Sequence, residues 1–178
     1  MRRESVVLTM IKGDYITIGL DADSTYKKMD VLLKLYRKIN WCLEESEVEL
    51  NDITYESCYG SSETMSYLLN FAPEKEMDVF RRRATAVMQT RVLLELIDRA
   101  VMKLRDYPMG GQTYYSIFDL KYLNRWTYTE FEILDMLDLE RSTYYRKKKE
   151  GTYLLGYILF GYVMPDYIKA EKVANMCD

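Results

Sequence analysis

Apolar positions recur along most of this chain at steps of three and four, with one early exception. Residues 5–20 hold two β-rich runs, SVVLTM and DYITIGL, either side of Lys12 and Gly13, and this pattern reads as a β-hairpin arm. Residues 21–24, DADS, then supply helix N-cap chemistry, after which Tyr26, Met29, Leu32, Leu33, Tyr36, Ile39 and Leu43 mark one face of an amphipathic helix. Glu44, Glu45, Glu47, Glu49, Asp52 and Glu56 follow with no basic residue among them and run into Gly60, Ser61 and Ser62, the pattern of a helix end and a solvated connection. From Glu74, behind Pro73, a stripe of Met77, Phe80, Ala84, Val87, Leu94, Ile97, Val101 and Leu104 predicts one long helix to about Asp106. The stretch VLLELIDRAVMKL is apolar on the flanks of that stripe as well, which marks this helix as the central one.

Residues 107–112, YPMGGQ, combine Pro108 with Gly110 and Gly111 and read as a subdomain boundary. Beyond them TYYSIFDLKYLN, TYTEFEILDMLD and RSTYYRKKKEGTYLLGYILFGY predict three helices with very short joins, the last stopped by Pro165. The expected fold is therefore mainly α. It divides into a β arm over residues 1–20, a helical part over 21–107 suited to self-association as a homodimer, and a third part over 113–178.

Composition narrows the chemistry. The 178 residues are 48% hydrophobic, enough for an ordinary core, and the net charge of -3 restricts any nucleic-acid binding to a local patch. No histidine is present, which removes the commonest general base, the commonest zinc ligand and every Ser-His or Cys-His pair. Cys42, Cys58 and Cys177 lie far apart with no C-x-x-C spacing, so neither a disulfide framework nor a thiolate zinc site is expected. No phosphate-binding glycine loop occurs, and Met10, Met65, Met77 and Met88 read as gap-filling core residues. The N-terminus does not read as a signal peptide, and the most apolar window, residues 153–164, is shorter than the roughly 18 residues of a membrane span. These features predict a cytoplasmic protein that is not an enzyme and carries no cofactor or metal.

The local basic patch lies in residues 137–151, where Arg141, Arg146, Lys147, Lys148 and Lys149 fall within nine positions. The residues before it have helix-turn-helix spacing. Thr127 and Glu130 are placed as a capping box, Phe131, Ile133, Leu134 and Leu137 form the apolar face of a short helix, Asp138 to Glu140 form the turn, and Leu139 plugs the space between the helices. On the second helix Tyr144, the stem of Lys147 and Gly151 point inward, while Arg141, Ser142, Tyr145, Arg146 and Lys149 point outward. In a major groove Arg141 suits guanine, Ser142 a base or phosphate, and Tyr145 a thymine methyl or phosphate, with Arg146, Lys148 and Lys149 as phosphate clamps. The plainer alternative is a solvated helix face of ordinary lysines. Arg81, Arg82 and Arg83 fan over about 200° of a helix and read as surface.

The string EILDMLDLERSTYYRKKKEG resembles the last helix pair of the ArpU-like and RinA-like phage regulators, whose C-terminal part looks like region four of bacterial sigma factors. The matching positions are Glu132, Ile133, Leu137, Leu139, Ser142, Thr143, Tyr145 and Arg146, and the resemblance covers about the last 65 residues, from Tyr114. It implies a helix-turn-helix that binds double-stranded DNA through Arg141, Ser142, Thr143, Tyr145, Arg146, Lys148 and Lys149 and regulates phage or prophage transcription. Two positions depart from the pattern: Leu134 where a small residue is common, and Asp138 where the turn often has glycine. Gly151 in mid-helix costs on the order of 1 kcal/mol relative to Ala and is expected to fray or bend the helix. The alternatives are DNA recognition like that of a terminase small subunit, and a protein-interaction module that docks on RNA polymerase without touching DNA.

Overall fold

The computed structural model describes residues 5–45, 61–73, 76–88 and 91–174, and its first element is a helix where the β-rich runs predict an arm. Helix α1, Val6–Thr17, starts at Ser5, whose hydroxyl accepts the Leu8 N–H, and buries Leu8, Ile11 and Tyr15. The local β preference is overridden by what those side chains meet. Tyr15 donates its hydroxyl to the Tyr153 carbonyl at 2.6 Å, and its oxygen would lie 2.9 Å from a Cβ at Gly156, so the glycine leaves room for the ring. The opposite face of α1 keeps Val6 and Ile16 exposed. The β arm is thus corrected to a helix, and no strand occurs among the described residues.

Helix α2, Ala22–Glu45, begins as its sequence predicts, with the Asp21 carboxylate accepting the Ser24 N–H at 2.6 Å. Met29, Leu32, Leu33, Tyr36, Ile39 and Leu43 are buried on one face, and Tyr26 is half-buried beside them. The acidic connection expected at residues 46–60 lies outside the described residues, as do Cys58 and Cys177. Helix α3, Ser61–Asn70, packs on α4, Met77–Met88, and on α9, Met164–Ala174.

The long helix expected from Glu74 to Asp106 is two helices, α4 and α5, Val92–Arg105. The break is at Arg91, whose φ of 66° is left-handed and whose guanidinium donates to the Leu43 carbonyl at the end of α2. Nor is this pair central. That place belongs to α8, Arg141–Ile158, in which all seven residues from Glu150 to Gly156 are buried. Burial around the whole circumference means neighbours on every side, and α1, α2, α5 and α6, Gly111–Phe118, provide them. Gly151 does not fray this helix: a Cβ there would lie 3.0 Å from the Phe118 ring, so the glycine admits α6 closely.

Residues 106–110 form a tight turn between α5 and α6, which pack on each other, and one core of buried residues runs across the position where the subdomain boundary is expected. Gly111 makes that turn: a Cβ would collide with the Leu104 carbonyl oxygen and lie 2.6 Å from that of Arg105. Backbone cannot swing aside as a side-chain tip does, so Gly111→Ala should lower stability by about 1–3 kcal/mol in urea melts. A melt unchanged from the parent would show that α5 and α6 are not held this closely. After α6 come a π-helical turn, Asp119–Leu123, then α7, Glu130–Leu137, and α8. Pro165 does not stop the chain's helices: α8 passes through a second π-helical turn, Leu159–Val163, and Pro165 occupies the first turn of α9, where its missing N–H is not needed.

Candidate nucleic-acid interface

Helix α7 starts at Thr129, not Thr127. The Thr129 hydroxyl accepts the Glu132 N–H, and the Glu132 carboxylate accepts the Thr129 N–H at 2.7 Å, which closes a capping box two residues later than its spacing twin. Thr127 instead accepts from Arg37, and Glu130 is left free to point at α8. At the far end Asp138 adopts φ 49° and ψ 49°. Its N–H reaches the Asp135 carbonyl at 3.3 Å and the Leu139 N–H reaches the Leu134 carbonyl at 3.1 Å, a Schellman closure in which Asp does the work of the usual glycine. Leu134 and Leu139 are both half-buried against the core, consistent with the plug expected of Leu139.

Helix α8 then begins at Arg141 after the three-residue turn, and Ile133 of α7 and Tyr144 of α8 are both buried. Burial pushes the Tyr144 phenol up to about 12, so it stays neutral. Arg141, Ser142, Tyr145, Arg146 and Lys149 are all exposed, and at 100° per residue they share an arc of about 140°. Thr143 faces away from that arc and is half-buried, as is Lys148, whose ammonium lies 5.4 Å from the centre of the Tyr122 ring. Lys147 turns inward to the buried Glu150 carboxylate at 3.4 Å. The structure therefore groups five of the expected residues on one face, sets Lys148 at its edge and leaves Thr143 out.

Sequence reasoning assigned Glu130 to the capping box and missed its tie to α8. Its carboxylate pairs with Arg141 at 3.0 Å and accepts the Tyr145 hydroxyl, so one acid at the start of α7 holds two residues of the exposed face. The hydrogen bond from Tyr145 and then the charge of Arg141 hold Glu130 below the usual carboxylate range. With its folded value depressed, this clasp is present at neutral pH and is lost only as pH falls through that lowered value. The spacing of a Glu at the first helix start and an Arg at the second is a signal for such a clasp, but only once the turn length is known.

No family model, curated protein or solved structure matches this chain. The functional reading therefore rests on the geometry above and on the motif it carries. Among the described residues no helix is long and apolar enough to cross a membrane. The outer surface around α7 differs in character from that of α8: Glu132, Asp135, Asp138 and Glu140 are exposed there together with Phe131 and Met136. A duplex lying against α8 has to keep its phosphates away from that acidic side.

Proposed function

We propose that this protein is a sequence-specific double-stranded DNA-binding regulator of phage or prophage transcription, as its resemblance to the ArpU-like and RinA-like regulators implies, with α8 as the recognition helix. The observation that carries this reading is the α7–turn–α8 unit, whose second helix offers an exposed face of Arg141, Ser142, Tyr145, Arg146 and Lys149 while its distal half is embedded in the core. A helix so anchored presents its side chains with little freedom to tilt, which favours groove recognition. Arg141 and Ser142, in the first turn, are the base readers; Arg146 and Lys149, further along, meet phosphates, with Lys148 beside them.

Selection of bound duplexes from a random pool tests the reading directly, since enrichment of a common sequence requires base readout. Replacing both Arg146 and Lys149 by Ala should weaken binding to every duplex alike and make the plot of log affinity against log salt shallower by about two units. An unchanged slope removes them from the interface. If two copies bind, the selected site should hold half-sites about one helical turn apart, and light scattering of the full chain on that site reads the number of copies.

A second reading is favoured by the acidic and apolar outer side of α7, where exposed Phe131 and Met136 sit among carboxylates. That surface suits docking on a protein such as RNA polymerase, with or without DNA on α8. Binding that survives high salt and disappears with Phe131→Ala would favour it.

A further inference from the structure

A cleft separate from the α8 face lies between α2 and the segment that joins the π-helical turn to α7, with a volume of about 520 Å³. Lys34, Arg37 and Lys38 enter it from α2, and Lys121 and Arg125 from the other wall, with no carboxylate among the described residues that line it. Two of these cations are committed elsewhere. Lys34 pairs with Asp30 at 2.6 Å, and Arg37 donates to the carbonyls of Asn124 at 2.7 Å and Leu120 at 3.2 Å and to the Thr127 hydroxyl. Arg37 thus caps the carbonyl end of the π-helical turn and straps the joining segment to α2, so the cleft is held in shape. Lys38 and Arg125 form no ion pair among the described residues and are exposed.

Aromatic rings accompany the cations. Trp41 lines the cleft and is 49% exposed, Tyr128 stands on the opposite wall, and Trp126, 68% exposed, follows Arg125 directly. Of the chain's two tryptophans, Trp41 lines the cleft and Trp126 is the chain neighbour of its Arg125. Neither is needed for the core, and an exposed indole beside unpaired cations has the chemistry of a nucleotide site: the cations meet phosphate, and the ring face meets a base. On α2 the lining runs from Leu33 to Trp41, about 12 Å along the helix axis, which is a groove for a chain and not a pit for one ion.

We propose that this cleft holds an unpaired nucleic-acid strand, with Lys38, Lys121 and Arg125 on its phosphates and a base against Trp41. A duplex keeps its base faces stacked and hidden, so an indole reaches them only on a single strand. The cleft adjoins the α8 face, because Tyr122 lines it and also lies beneath the ammonium of Lys148. The proposal does not depend on duplex binding by α8, and each site is tested by its own variants.

Because Trp41 lines the cleft and Trp126 follows its Arg125, intrinsic fluorescence reads occupancy without a label. Titration of the full chain with an oligothymidylate of about 12 nucleotides should quench that fluorescence and saturate. Anisotropy of a labelled strand should show roughly tenfold weaker binding for Trp41→Ala and a salt slope shallower by about 1.4 units for the Lys38→Ala, Arg125→Ala double variant. Arg141→Ala should leave strand binding within twofold of the parent. All four positions are exposed, and circular dichroism confirms that the variants fold. Failure of the strand to quench overturns the proposal. So does equal loss from Arg141→Ala, which would put the strand on α8, or equal quenching by a polyglutamate of matched charge or by inorganic phosphate, which would make the cleft a general anion surface. Thymidine monophosphate binding as tightly as the strand overturns it in favour of a free-nucleotide site.

Discussion

Replacing Glu150 by Ala should destabilise the protein by about 2–4 kcal/mol, the largest loss expected from any single side chain discussed above. This carboxylate is 2% exposed, in the middle of the buried run of α8. One oxygen accepts the hydroxyl of Ser5, the residue that caps α1, and the other accepts Tyr114 of α6 at 3.0 Å and pairs with Lys147 at 3.4 Å. Burial, and then the neighbouring carboxylate, push the Tyr114 phenol up, so it remains a donor. Without Glu150 two hydroxyls and an ammonium lose their acceptor at once, and three helices lose a common tie. Glu150→Gln keeps an acceptor for Ser5 but removes the charge that Lys147 faces, so it should cost roughly half as much. Urea denaturation of the two variants measures both values. A Glu150→Ala loss below about 0.5 kcal/mol would mean that these bonds are replaced by water without penalty.

Arg141→Ala should weaken binding to the selected duplex by roughly 5- to 150-fold and change binding to random duplex little, because a planar donor fork discriminates guanine while a phosphate contact does not. In the free protein this guanidinium is held by Glu130 at 3.0 Å and lies 5.8 Å from the centre of the Tyr145 ring. Base reading therefore has to draw Arg141 off Glu130 or use its remaining donors while Glu130 orients it. Glu130→Gln separates those two cases. If the clasp competes with DNA, this variant gains affinity for all duplexes, since a negative charge also leaves the interface; if the clasp orients the fork, it loses specificity as Arg141→Ala does. The rival account is that the pair only braces α7 against α8. Both variants would then leave the ratio of specific to non-specific affinity intact at one fixed salt concentration, and base reading by Arg141 would be abandoned.

The candidate site was legible to an unusual degree because its logic is local. A three-residue turn, a left-handed position that Asp tolerates and a helix of 3.6 residues per turn are enough to place Tyr144 inside and Arg141, Ser142, Tyr145, Arg146 and Lys149 outside. The capping box was misplaced by two residues because TYTEFE offers two threonines, each with a glutamate three positions on. Only Arg37, arriving from α2, takes Thr127 out of that competition. The cationic cleft was invisible for a related reason: Lys38 and Trp41 are about 80 positions from Lys121 and Arg125, and nothing in either stretch specifies the other.

By itself the sequence determined the helical class, the start and apolar stripe of α2, and the α7–turn–α8 unit with its exposed basic face, since each depends on contacts within a turn or two of chain. The tertiary structure alone decided that residues 6–17 are helix, because the burial of Tyr15 against α8 outweighs a β preference worth at most about 1 kcal/mol. It also decided that α8, with a glutamate and two glycines in its buried run, is the central helix. Hydropathy ranks such a segment below VLLELIDRAVMKL, since it scores residues one at a time. What makes Glu150 a core residue is Ser5, Tyr114 and Lys147, and what makes Gly151 and Gly156 helical is Phe118 and Tyr15 pressed against them. Partners brought from elsewhere in the chain turn those apparent defects into the points at which the helices meet.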